Sequence, residues 1–203
     1  MKIVDTIVFD LGGVLIDWNP EYVFRGLIPN DEKRAWFFDN VCTSPWNVQQ
    51  DAGYPLAQAT ADRIALFPEY EDLIRAYYGR WEEMLGGPIQ ASVDLFLGLK
   101  KAGKYPVFAL TNWSAETFPV ALERYAFLHE FEGILVSGEE KMIKPDLAIY
   151  RRFEAMFDKR PEQLFFVDDS AKNVAGAKSA GWQAAQVTTS EELAAALQPF
   201  LGT

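Results

Sequence analysis

A single cysteine, Cys42, in a chain of 203 residues excludes an intramolecular disulfide. No stretch approaches the roughly 18 consecutive apolar residues of a membrane-spanning helix, so no membrane association is expected. A basic cluster is missing too. The 19 Lys and Arg residues stand against 29 Asp and Glu, a formal charge of −10 that repels polyanions and argues against nucleic-acid partners. The opening MKIVDTIVFD carries acidic residues where a signal peptide has an unbroken apolar segment, which points to the cytoplasm. Internal repeats and low-complexity tracts are also absent.

What is present is an ordinary globular composition, 49% hydrophobic and 24% charged, sufficient for one core or one core with a smaller inserted module. Short β-rich apolar runs at residues 3–9, 105–110, 133–136, 164–167 and 184–187 read as buried strands. Segments of helical composition separate them, and this alternation predicts an α/β fold around a parallel sheet. Ser92 precedes VDLFLGLKKAG, a helical pattern closing at Gly103, and Asp169-Ser170 precedes AKNVAGAKSAG, closing at Gly181. Gly176 inside the latter costs the helix only about 1 kcal/mol against Ala. A last, Ala-rich helix is expected near residues 191–197.

Between residues 17 and 87 aromatic side chains are dense and no convincing buried strand occurs, which predicts a helical insertion after the first strand. Gly86-Gly87-Pro88 reads as its return hinge. The implied division is a core of residues 1–16 and 88–203 with a helical cap of residues 17–87. Most cap aromatics are expected to pack with one another, with Trp46 and Trp113 as pocket-lining residues.

In open α/β sheets ligands bind beyond the carboxyl ends of the strands. Those ends supply Asp10, Thr111-Asn112, the loop bearing Lys144-Pro145, and Asp168-Asp169-Ser170 with Asn173. Converging carboxylates repel one another unless a cation sits among them, and hard oxygen ligands suit Mg²⁺. Asp10 would then attack phosphorus and form an aspartyl-phosphate, Thr111, Asn112 and nearby backbone N–H groups would hold the phosphoryl oxygens, and Lys144 would stabilise charge on both nucleophile and phosphate. Neither His129 nor Cys42 lies in such a pattern.

These residues resemble those of the haloacid dehalogenase-like hydrolase superfamily. VFDLGGVL is similar to its first motif and assigns the nucleophile to Asp10, FALTNWS to its second at Thr111, IKPDLAIY to its third at Lys144, and FFVDDSAKNVAGAKSAG to its fourth at Asp168 and Asp169. The resemblance implies a Rossmann-like core with a helical cap, and a Mg²⁺ ion held by Asp10, the Gly12 carbonyl, Asp169 and Asp168, the last as ligand or close neighbour. It is closest to the bacterial sugar-phosphatase and epoxide-hydrolase amino-terminal-domain branch, which implies a small phosphorylated substrate such as a sugar phosphate.

The chain departs from the pattern at Gly12, where phosphatases of the superfamily carry a second Asp as general acid and base. Such a group contributes about 10²–10⁴-fold. Asp17, further along the same loop, is a candidate replacement. The same departure suits two other readings: a metal-independent 2-haloacid dehalogenase, for which Arg25 and Arg34 are the only nearby arginines, and a catalytically idle protein that binds a phosphometabolite.

Overall fold

The computed structural model describes residues 4–201. Ile3, assigned to the first strand by its pattern, lies outside the described residues, as do the other ends of the expected core, residues 1–2 and 202–203.

Strand β1 (Thr6–Phe9) leads through the Asp10 turn into β2 (Ile16–Trp18). Five helices follow: α1 (Glu21–Leu27), α2 (Asp31–Asn40), α3 (Ser44–Asp51), α4 (Leu56–Leu66) and α5 (Glu71–Gly79). The chain returns through β3 (Leu85–Pro88) to α6 (Gln90–Ala102), β4 (Val107–Thr111), α7 (Phe118–Arg124), β5 (Ile134–Val136) and α8 (Ser137–Glu140). It ends with α9 (Leu147–Phe157), β6 (Leu164–Asp168), α10 (Ala171–Ser179), β7 (Gln183–Gln186) and α11 (Ser190–Leu201).

All five strands of the main sheet are parallel, in the order β5-β4-β1-β6-β7. Alternate residues of each strand feed opposite faces, as the period of two demands. Ile7, Phe9, Val107 and Ala109 pack with Val93, Phe96, Leu193 and Leu197 from α6 and α11, whereas Val8, Phe108, Leu110 and Phe166 pack with Ile149, Tyr150 and Phe153 of α9. Both faces are covered, which is why these strands read as continuous apolar runs. This is the Rossmann-like α/β architecture expected from the sequence.

The region between β2 and β3 is helical, with its aromatics buried against one another. Phe24 stacks on Phe37 with centroids 5.3 Å apart, and Trp46 meets Tyr77 edge-on at 5.1 Å. That apolar cluster is continuous with the α6 face of the sheet.

Two local expectations are corrected. Residues 86–88 are not a free hinge: they belong to β3, which pairs antiparallel with β2 in a two-stranded ribbon, Ile16 opposite Pro88. A strand of sequence Leu-Gly-Gly-Pro carries no β pattern, so only its partner reveals it. Ser92 does not precede its helix. It is buried within α6, its Oγ 2.9 Å from Ser190 Oγ, and the helix starts directly after Ile89. The α6 terminus does fall where expected, with Gly103 in the left-handed region at φ +62°.

Gly176 has a packing reason that its propensity conceals. A Cβ there would lie 2.8 Å from the Pro145 carbonyl oxygen and 2.9 Å from the Tyr150 hydroxyl. Gly176→Ala should gain about 1 kcal/mol of helix propensity and lose roughly 1–3 kcal/mol to overpacking. A net loss of stability is expected in chemical denaturation; a stabilised variant would show that α10 is not held against the Lys144–Pro145 loop this closely.

Candidate active site

Because the strands are parallel, their carboxyl ends share one edge, and that edge gathers the four stretches singled out in the sequence. Asp10 follows β1 directly, Thr111 ends β4 with Asn112 beyond it, and Asp168 ends β6 with Asp169 beyond it. Lys144 arrives on the loop between α8 and α9.

At the centre is a buried ammonium with three acceptors. Lys144 Nζ lies 2.7 Å from Asp168 Oδ2, 2.9 Å from Asp10 Oδ2 and 3.0 Å from the Leu110 carbonyl oxygen. Burial alone would lower the Lys144 pKa, yet the adjacent Asp10 and Asp168 carboxylates more than offset it and hold the ammonium above its ordinary value. Asp10 moves the other way than a salt-bridged acid usually does. Burial raises its pKa well above the carboxylate range, Lys144 opposes this, and Asp168 and Asp169 add repulsion. Asp169, more open to solvent, is also raised, by burial and then by Asp168.

One oxygen each of Asp10, Asp168 and Asp169 falls within a sphere where all three lie within 4.8 Å of one another. With one ammonium against three carboxyl groups, the cluster carries excess negative charge if ionised, and its hard oxygen donors fit a divalent cation such as Mg²⁺. The three acids are not equivalent. Asp168 Oδ1 accepts from the Ser170 N–H (2.8 Å) and Asn173 Nδ2 (3.0 Å), and Oδ2 from Lys144 and Asn173 (3.1 Å), so this carboxylate is already surrounded by donors. Among the described residues, Asp10 Oδ1 accepts only from the Leu11 N–H, at 2.7 Å. Asp169 presses on the turn after β1: a Cβ on Gly13, whose φ is +72°, would sit 2.4 Å from its Oδ2. Only glycine allows both that backbone angle and that approach.

Asn112 is tied to Lys144. Its Oδ1 accepts from the Lys144 N–H at 2.9 Å and its Nδ2 donates to the Lys144 carbonyl at 3.0 Å, fixing the loop that delivers the ammonium. The sequence placed this side chain on a phosphate; the geometry first gives it the task of positioning Lys144. Thr111 is 1% exposed, and its hydroxyl has no hydrogen-bond partner among the described residues. An orphaned buried hydroxyl is costly unless a ligand completes it.

Above this edge is a cleft of about 150 Å³ between the sheet and the helical insertion. Its lining includes Gly12, Asn112 and Trp113 from the sheet side and Trp18, Tyr78 and Trp81 from the insertion side. Trp113 is where the sequence placed it. Trp46 is not: it is buried among Tyr77 and Tyr78, under the cleft wall. Asp17 is also absent from the lining, and its carboxylate accepts from the Tyr22 hydroxyl. The cleft instead contains Asp51, a residue the sequence did not distinguish, because nothing in a helix-ending Asp-Ala-Gly separates it from an ordinary cap. His129 is exposed and bonded to the Leu122 carbonyl, and Cys42 is buried, both outside the cleft lining.

A covered parallel sheet, a helical insertion after its first strand and a strand-end carboxylate cluster around one lysine define a Rossmann-like hydrolase of the kind that works at its sheet edge. The chain belongs to the haloacid dehalogenase-like hydrolases, whose family model matches residues 4–181. It is 27% identical over 202 residues to a sesquiterpene phosphatase of Aspergillus oryzae, covering 96% of this chain and 95% of that one. Among solved structures it is similar to a family enzyme of Bacteroides thetaiotaomicron in complex with magnesium and inorganic phosphate (23% identity, TM-score 0.65, 90% and 93% coverage). It is also similar to an L-2-haloacid dehalogenase of Xanthobacter autotrophicus (17% identity, TM-score 0.64, 97% and 83% coverage). Likeness at these identities establishes the fold and does not choose between the two chemistries. No helix of the described residues is long and apolar enough to cross a membrane.

Proposed function

We propose that the protein is a cytoplasmic, Mg²⁺-dependent phosphatase that hydrolyses a small phosphorylated metabolite through an aspartyl-phosphate on Asp10. The observation that carries this reading is the charge imbalance at the sheet edge, three carboxyl groups within ligand distance of one another and one buried ammonium. Asp10, the Gly12 carbonyl and Asp169 are the ligands we assign, with Asp168, already enclosed by donors, anchoring Lys144. Bound there, the ion would cancel repulsion between the Asp10 carboxylate and an anionic phosphoryl group. Lys144 and the Thr111 hydroxyl would hold phosphoryl oxygens, Asn112 acting chiefly through Lys144. Residues 17–87 serve as the cap over a core of residues 1–16 and 88–203, and the indole faces of Trp18, Trp81 and Trp113 suit the C–H face of a compact organic group such as a sugar.

The surroundings of the two candidate arginines support this reading over a dehalogenase. No arginine is among the residues lining the cleft; Arg34 is bound to Glu21 (2.7 Å) and the Ile28 carbonyl (2.9 Å), and Arg25 also pairs with Glu21. The test is metal removal. Phosphate release from p-nitrophenyl phosphate should fall at least about 10²-fold on chelation and return with Mg²⁺. Halide release from 2-chloropropionate without metal, or phosphatase activity indifferent to chelation, would overturn the proposal.

A further inference from the structure

Gly12 leaves the reaction without the usual proton donor on the nucleophile loop. We propose that Asp51, supplied by the helical insertion, protonates the leaving oxygen and then deprotonates the attacking water. This inference rests on the phosphatase reading above.

Three observations place Asp51 in that role. It is the only carboxyl group among the cleft-lining residues, which include Gly12 and Asn112 of the sheet edge. Its position is imposed by the core: Ser137 Oγ, at the start of α8, donates to the Asp51 carbonyl oxygen at 2.6 Å and itself accepts from the Trp113 N–H at 2.9 Å. The turn that follows is pressed onto the same segment, since a Cβ on Gly53 (φ +89°) would lie 2.9 Å from the Gly138 carbonyl oxygen and from Lys141 Cγ. Asp51 therefore cannot swing with a loose loop. Its carboxylate is oriented by Asn47 Nδ2, which donates to Oδ2 at 3.2 Å.

The chemistry of the site agrees. Burial raises the Asp51 carboxyl to about 7, with the Ser114 N–H and the Lys144 ammonium only partly opposing it. Tyr77 and Tyr78 of α5, the other titratable groups facing it, are kept neutral by burial. A carboxyl group near neutrality can both give and take a proton. In the first step the Asp10 carboxylate forms a bond to phosphorus, the phosphorus–oxygen bond to the alcohol breaks, and that oxygen takes the proton of Asp51. In the second, water adds to phosphorus as Asp51 recovers a proton from it, and the Asp10–phosphorus bond breaks to release inorganic phosphate.

The experiment compares p-nitrophenyl phosphate, whose leaving group needs little protonation, with glycerol phosphate, whose leaving group needs it. Asp51→Asn should lower turnover of the glycerol ester by about 10²–10⁴-fold. With the nitrophenyl ester it should give a burst of about one nitrophenol per active site, because phosphorylation survives while hydrolysis of the aspartyl-phosphate is slowed. The wild-type kcat/KM for the glycerol ester should decline as pH rises through about 7, and that limb should vanish in Asp51→Asn. Gly12→Asp in the Asp51→Asn background should restore at least about tenfold of the lost rate, since a Cβ at Gly12 meets nothing within 4 Å and its φ is not positive. An unchanged ratio between the two esters in folded Asp51→Asn overturns the proposal even where phosphatase activity stands. Should that variant not fold, a wild-type profile without the basic limb overturns it equally. Release of phosphate from neither ester by the wild type with Mg²⁺ would instead remove the phosphatase reading itself.

Discussion

Asp10→Asn should reduce phosphatase turnover by at least about 10³-fold while leaving the fold intact. An amide oxygen is a poor nucleophile for phosphorus, so no covalent intermediate can form on it. The structural consequence should be opposite in sign to the catalytic one. Asp10 is buried against Lys144, yet it also faces Asp168 and Asp169, and burial with that repulsion raises its pKa in spite of the lysine. Replacing it by a neutral isostere removes repulsion and leaves Lys144 its 2.7 Å partner Asp168. The melting temperature of Asp10→Asn should therefore equal or exceed that of the wild type. Acid quenching followed by peptide mass spectrometry should find a phosphoryl group on the Asp10 peptide of the wild type and none in the variant. A variant that retains a tenth of the activity would eliminate Asp10 as nucleophile.

Lys144→Met should fail in both respects. The side chain is fully buried and its ammonium separates two buried carboxyl groups, so a methionine of similar length leaves Asp10 and Asp168 facing each other without a cation. Breaking a buried pair by removing one partner costs about 3–5 kcal/mol, several times the worth of an exposed pair. Activity should fall by about 10²–10³-fold, the usual loss when a preorganised donor to a developing charge is removed. Pairing the change with Asp168→Asn should recover much of the stability, because the uncompensated charge is gone, and none of the activity. Arg at the same position should not substitute, since a planar guanidinium cannot take the place of a point donor shared by Asp10, Asp168 and the Leu110 carbonyl. Chemical denaturation of the single and double variants measures the coupling, and a Lys144→Met protein as stable as the wild type would refute this account of the pair.

Much of this arrangement is legible in the sequence. Strands buried on both faces must be apolar throughout, so β1, β4 and β6 appear as runs, and because parallel strands end on one edge, the polar residues closing those runs had to meet there. Asp10, Thr111, Lys144, Asp168 and Asp169 were found that way, each within a residue or two of a strand end or in the loop between two elements. That Gly12 stands where the phosphatases of the superfamily carry a second Asp is visible only through the family resemblance.

Other features lay beyond local pattern because they depend on what a residue meets across the chain. β3 is a strand only because β2 lies beside it. Gly176 looks like a tolerated flaw in a helix until Pro145 and Tyr150 are seen against it. Asn112 reads as a ligand donor and proves to be bonded twice to the backbone of a lysine 32 positions away. Asp17 and Trp46 lie in the expected stretch of chain but turn to Tyr22 and to the aromatic cluster of the insertion, whereas Asp51, indistinguishable in sequence from a helix-ending acid, is carried to the cleft by a serine 86 positions away. Periodicity and strand-end chemistry are properties of neighbours along the chain and survive in one dimension; the burial, donors and charges that give a carboxyl group its task come from distant segments and exist only once the chain has folded.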